Sequence, residues 1–181
     1  NFKKYLTLLE ETINDPRFPV NDNVASLSFL YLYNNKLNYH ILDASFAESE
    51  YLIPEILDKI KLHNEHLDEH HEMLFFYKIA CIYFGNEKYN ESIFYLEKII
   101  NNKNLSMRED LMCFSRILCL IVHYELGKDY YLENQLKTTY KFLLKMNDLH
   151  EVQKEIIKFL KNLNNFYPND IKKEFIKMRE R

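Results

Sequence analysis

The sequence predicts an all-α fold, a stack of about three helical hairpins wound as an α-α superhelix and closed by capping helices. Three observations carry this expectation. An aromatic residue followed two positions later by Glu and then by a small polar residue occurs in Phe46-Ala47-Glu48-Ser49, Tyr89-Asn90-Glu91-Ser92 and Tyr131-Leu132-Glu133-Asn134, about 42 residues apart. Self-similarity at such a period marks an array of helical hairpins. Only 2 Gly and 4 Pro occur in 181 residues, too few for the turns of a β-sandwich or barrel. No segment sustains the alternation of a strand, whereas apolar residues recur three and four apart through most of the chain.

Each element follows from local chemistry. Phe2, Tyr5, Leu6, Leu9 and Ile13 share one side of a first helix, which Asp15-Pro16-Arg17-Phe18-Pro19 ends because proline cannot continue it. Asn23 is expected to cap a second helix carrying Val24, Leu27, Leu30, Tyr31, Leu37 and Ile41. Ser45 is expected to cap the next, in which Pro54 should introduce a kink. Asp68 caps an arm through Leu74 and Phe84 that ends near Gly85, and the return arm runs from Tyr89 to Ile100.

Ser106 and Glu109 form a capping box for a long helix ending at Gly127. Further helices are expected over about 131–145, 151–163 and, after Pro168, 170–178, which makes about nine. In domain terms, residues 1–22 are an N-terminal helix and Pro-containing linker, 23–147 the hairpins, and 148–181 the C-terminal cap. A repeat stack needs such a cap. Val152, Ile156, Phe159, Leu160 and Leu163 give it an apolar stripe opposite Lys154, Lys158 and Lys161.

The hairpin over 76–99 resembles a tetratricopeptide repeat. It offers Phe76, Ile79-Ala80 and Tyr83 in one arm and Tyr89, Ser92, Leu96 and Ile99 in the other, where that family places aromatic, small and apolar residues. Ala80 and Ser92 are expected to face each other and allow close helix approach, with Tyr83 and Tyr89 filling the groove between the arms. The chain departs from the family in having no Trp, in carrying Asn104 at the place of the closing Pro, and in its longer period. The segment from about Val24 to Phe159 is also similar to tetratricopeptide-like proteins of Bacteroidetes-type bacteria, through Tyr77-Lys78-Ile79-Ala80-Cys81-Ile82-Tyr83-Phe84-Gly85, His123-Tyr124-Glu125-Leu126-Gly127 and Thr139-Tyr140-Lys141-Phe142-Leu143. The resemblance implies a fold and no particular activity.

Composition narrows the function classes. A hydrophobic fraction of 47%, with 28% charged residues, suits a packed domain rather than a disordered one. A formal net charge of −3 gives no global polycation for nucleic acid. Cys81, Cys113 and Cys119 stand in apolar runs without Cys-x-x-Cys pairing, the pattern of buried reduced thiols in a cytoplasmic protein. The Asn-x-Ser sequons at Asn90 and Asn104 then carry no meaning. No signal peptide or membrane span is expected, since the longest purely apolar run is Ile117 to Val122. The chain opens at Asn1 without Met, which suggests a preceding segment in a longer protein.

No catalytic motif appears: no nucleophile elbow, no His-Glu-x-x-His and no phosphate-cradling glycine loop around Gly85 or Gly127. His63, His66, His70 and His71 lie among Glu65, Asp68, Glu69 and Glu72; a cap at Asp68 would split them between two elements, so they read as a polar turn, with no metal and no cofactor expected. His40 and His123 are expected as half-buried packing residues, although Arg116 with His123 at i+7 offers an alternative carboxylate-reading pair. The 14 Tyr and 13 Phe are mostly core filling at helical spacing, but Tyr31, Tyr33, Tyr39, Tyr77, Tyr95 and Tyr140 cannot all be interior. The favoured expectation is a non-enzymatic scaffold that binds a protein or peptide on a concave face through Asn34, Asn38, Lys78, Arg116 and Tyr124, without nucleic-acid or membrane partners. The alternative is a peptide-sensing regulatory domain whose N-terminal effector precedes Asn1.

Overall fold

The computed structural model describes residues 2–19, 21–102, 109–127 and 135–142, together with Glu155 and Lys158. The fold is all-α, and no strand occurs among the described residues. Seven helices are complete enough to name: α1 (Phe2–Ile13), α2 (Asp22–Asp43), α3 (Phe46–Glu50), α4 (Leu52–Leu62), α5 (Glu69–Gly85), α6 (Tyr89–Ile100) and α7 (Glu109–Glu125). Residues 135–142 are also helical. None of the described helices is long and apolar enough to cross a membrane. The chain divides into two compact units, Asn1–Met107 and Arg108–Arg181.

In the first unit, α2 and the α3–α4 pair form one hairpin and α5 with α6 the next. The arms α5 and α6 make the most extensive helix–helix contact, and α5 also packs on α2 and α3. The core is built from Phe29, Leu37, Ile53, Ile56, Phe75, Ile79, Leu96 and Ile99, all nearly or fully inaccessible. Phe29 stacks on Phe75 at 5.2 Å between ring centroids, which ties α2 to α5. Helix α1 lies along α2 and buries no residue completely.

The repeated phrase is a packing device. Its fourth residue, Ser49 in one hairpin and Ser92 in the next, is wholly inaccessible. Ser49 Oγ donates to the Phe46 carbonyl oxygen at 2.8 Å, and Ser92 Oγ donates to that of Ala80 at 2.9 Å. A small hydroxyl that can satisfy itself on main chain lets two helices touch without stranding a polar group. Glu48 and Glu91 stay in water in the first turn of their helices, where a negative charge suits the helix dipole. The third copy, 131–134, lies outside the described residues.

The turns between hairpin arms repeat as well. Ala44 and Glu87 both adopt left-handed backbone, with φ of 53° and 59°. In each case the following amide reaches back across the helix end, Ser45 N–H to His40 O at 3.0 Å and Lys88 N–H to Tyr83 O at 2.8 Å. Gly127, after α7, has φ of 64°. Three first arms thus end in the same left-handed geometry, and only the third uses glycine.

Several local expectations shift. The α2 cap is Asn21 rather than Asn23: its Oδ1 accepts from Val24 N–H at 2.9 Å. Ser45 stands at the α3 N-cap without capping it and spends its hydroxyl on His40 Nδ1 at 2.8 Å. Asp68 caps α5, accepting from His71 N–H at 2.9 Å. The proline effect at Pro54 is a break: α3 stops at Glu50 and α4 starts at Leu52, because Pro54 lacks the N–H that Glu50 would accept and its ring crowds that carbonyl. Gly85 is the last residue of α5, but for a reason other than left-handed backbone. A Cβ there would come within 2.3 Å of the Phe46 ring, so glycine allows the aromatic of the first phrase to lie on α5.

In the second unit, Leu111, Met112, Ile117, Leu120 and Val122 of α7 are buried, with Leu136 and Thr139 from the 135–142 segment. The expected capping box at Ser106 and the helices over 151–163 and 170–178 lie outside the described residues, apart from Glu155 and Lys158, an ion pair at 3.5 Å.

Candidate binding groove and a second cleft

Three of the five expected binding residues belong to the first unit, and two of them meet. Lys78 of α5 is 7% exposed and its Nζ donates to the Asn34 carbonyl oxygen of α2 at 3.3 Å and to Asn34 Oδ1. Burial pulls the Lys78 pKa down to about 8, because a desolvated ammonium is penalised. Asn38 stands one turn beyond Asn34 and is half-buried. Lys78 is therefore the floor of the α2–α5 seam, with its charge held by Asn34, and it offers little open surface of its own.

The exposed part of this seam belongs to α2. Leu27, Tyr31, Asn34, Asn38 and Leu42 follow one another at spacings of three and four and so share a face. Leu27 is 49%, Tyr31 56% and Leu42 77% exposed, an apolar stripe interrupted by two amides. At its N-terminal end the seam opens into a pocket of about 320 Å³ where Leu27 and Leu30 of α2 face His66 and Leu67 of the α4–α5 turn and His71 at the start of α5. Sequence reasoning picked the two asparagines and missed Leu27 and Leu42, which look like core residues until the helix is oriented.

Arg116 and Tyr124 belong to the second unit. Both are half-buried. The Arg116 guanidinium lies over the Phe142 ring, 4.3 Å from its centroid, while Nε is buried without a hydrogen-bond partner among the described residues. Burial pulls its pKa down from the usual arginine range. His123, expected half-buried, is 8% exposed. Of the tyrosines expected to be partly outside, Tyr31 and Tyr140 are exposed, Tyr39 and Tyr77 half-buried, and Tyr33 and Tyr95 buried.

The histidine cluster divides as the cap at Asp68 requires. His63, just past α4, places Nδ1 3.0 Å from Ser26 Oγ and stacks on Phe29 at 5.5 Å. His71 pairs with its own cap, Asp68, at 2.7 Å. Among the described residues no three His, Cys, Asp or Glu side chains gather where they could hold a metal ion.

On the other side of α2 lies a second cleft of about 380 Å³, walled by the α1–α2 connection, α2 and α4. Tyr33 donates its hydroxyl to Glu55 Oε1. Lys59, one turn beyond Glu55, approaches it at 3.9 Å and lies over the Tyr33 ring at 5.6 Å. Lys36 lies over the same ring at 5.4 Å and pairs with Glu10 of α1 at 2.5 Å. Desolvation first, then the Glu55 hydrogen bond, pushes the Tyr33 pKa well above the ordinary phenol value, so the hydroxyl remains a donor. No motif in the sequence announced this cleft, because its walls come from the α1–α2 connection, α2 and α4. Compared with known proteins, the chain matches no family model, no curated protein and no solved structure.

Proposed function

We propose that this chain is a non-catalytic, tetratricopeptide-like helical scaffold that binds a protein or peptide segment along the α2–α5 seam. The observation that carries the reading is the uncovered stripe of Leu27, Tyr31 and Leu42 with Asn34 and Asn38 set into it. An amphipathic helix or extended segment covering the stripe gains apolar contact, and the amides fix its register. The pocket between Leu27 and Leu30 on one side and Leu67 on the other accepts one apolar anchor, the kind of residue that dominates binding energy. Lys78 serves this site indirectly, by holding the Asn34 side chain.

Panning a displayed library of amphipathic peptides on the complete chain tests the proposal. The expected result is enrichment of sequences with an apolar anchor, whose binding falls at least tenfold with Leu27→Asp or Tyr31→Asp. No enrichment, or selected peptides indifferent to both substitutions in folded protein, overturns it.

A further inference from the structure

We propose that the cleft between α2 and α4 is a separate binding site for a small zwitterion, an α-amino acid with an apolar side chain. Glu55 and Lys59 lie one helical turn apart on the cleft wall, their charged atoms 3.9 Å from each other. A lone cation entering the cleft meets Lys59, and a lone anion meets Glu55. A ligand that carries both charges a short distance apart sets an opposite charge against each member of the existing pair and meets no like charge alone.

The hydrogen bonds refine the assignment. Ser26 Oγ donates its single proton to the Asp22 carbonyl oxygen at 2.9 Å, so toward His63 it acts as acceptor. His63 therefore carries its proton on Nδ1, and Nε2 keeps a lone pair. Burial first, then the positive charges of Lys59 and His66, holds the His63 pKa below its ordinary value, so the ring is neutral at pH 7. The cleft thus offers Glu55 as acceptor for an ammonium and Lys59 as cation for a carboxylate, with the neutral His63 ring on the same wall. Beyond the charges the walls are Ile13, Phe18, Phe29 and Leu32, which suit an aliphatic or aromatic side chain. The volume of about 380 Å³ is at the small end of the range for ligand pockets, enough for one amino acid and too little for a folded element.

The site lies across α2 from the seam and does not depend on it. Calorimetric titration of the complete chain with L-leucine and L-phenylalanine tests the proposal, with leucinol lacking the carboxylate and 4-methylpentanoate lacking the ammonium. The expected result is saturable amino-acid binding, at least tenfold weaker for both analogues, accompanied by a shift of the His63 ring signals in the NMR spectrum. Glu55→Gln, which keeps an acceptor for Tyr33, and Lys59→Gln should each weaken leucine binding at least tenfold. If leucine and both analogues bind alike, or no amino acid binds, the proposal fails. Should either variant unfold by circular dichroism, the analogue series on the unaltered chain still decides.

Discussion

Ser92 Oγ donates to the main-chain oxygen of Ala80 at 2.9 Å, and both residues are wholly inaccessible. The contact puts the first turn of α6 directly against the middle of α5, with no side chain between them beyond a hydroxyl and a methyl. Ala80→Leu should cost about 1–3 kcal/mol through overpacking. A chemical denaturation midpoint checks this; an unmoved midpoint would mean that the two helices separate easily.

Gly85 and Phe46 form the corresponding contact between hairpins. In an open helix, Gly→Ala gains about 1 kcal/mol; here the methyl collides with the aromatic ring, and displacing it costs about 1–3 kcal/mol. Gly85→Ala should therefore destabilise the intact chain and stabilise a Phe46→Ala background. A double-mutant cycle by denaturation reads the change of sign, and the same sign in both backgrounds would refute the contact.

Ala44 and Glu87 occupy left-handed backbone that costs a non-glycine residue about 1–2 kcal/mol. Glycine removes that strain while adding about 0.5–1 kcal/mol of unfolded-state entropy. Ala44→Gly and Glu87→Gly should each raise stability modestly, and thermal melting of the single and double variants measures it.

Lys78 gives stability a particular pH dependence. Its folded pKa is about 8 against an ordinary 10.5, so above pH 8 the unfolded chain binds more protons at this residue than the folded one. Stability contributed by Lys78 accordingly rises with pH through the window from 8 to 10.5. Cys81 acts in the opposite direction from pH 9, since burial pushes its thiol from 9.0 to about 11. The cleanest comparison is between pH 7 and 9, where the unaltered chain should gain stability relative to Lys78→Met. A parallel pH response in the two proteins would show Lys78 titrating as in water.

The sequence carried the helices well because their signals are local. The bounds of α1 and α6, the cap at Asp68 and the pairing of Ala80 with Ser92 all follow from spacing within one or two turns. Tertiary demands were harder to read. Nothing near Ala44 or Glu87 specifies left-handed backbone, and Gly85 mimics a helix stop when its purpose is to admit Phe46, some forty residues earlier. The seam was half legible: Asn34 and Lys78 are polar residues in apolar helices and draw attention, but Lys78 is buried and spends its charge on the Asn34 oxygens. The cleft was only partly legible: Glu55, Lys59 and His63 follow one another at spacings of four, but Phe29 and Tyr33 join them only when α4 folds back along α2.

The short link between α5 and α6, residues 86–88, bears on how the chain acquires its structure. Closing so small a loop costs little chain entropy, and the two arms it joins make the broadest contact in the first unit. This hairpin is the cheapest piece of native structure to assemble, and it presents Phe75 as a landing point for Phe29. Folding should begin there and extend outward to α2, on the fast timescale of chains dominated by near-neighbour contacts. Helix α1, with no buried residue of its own, is then the natural last arrival.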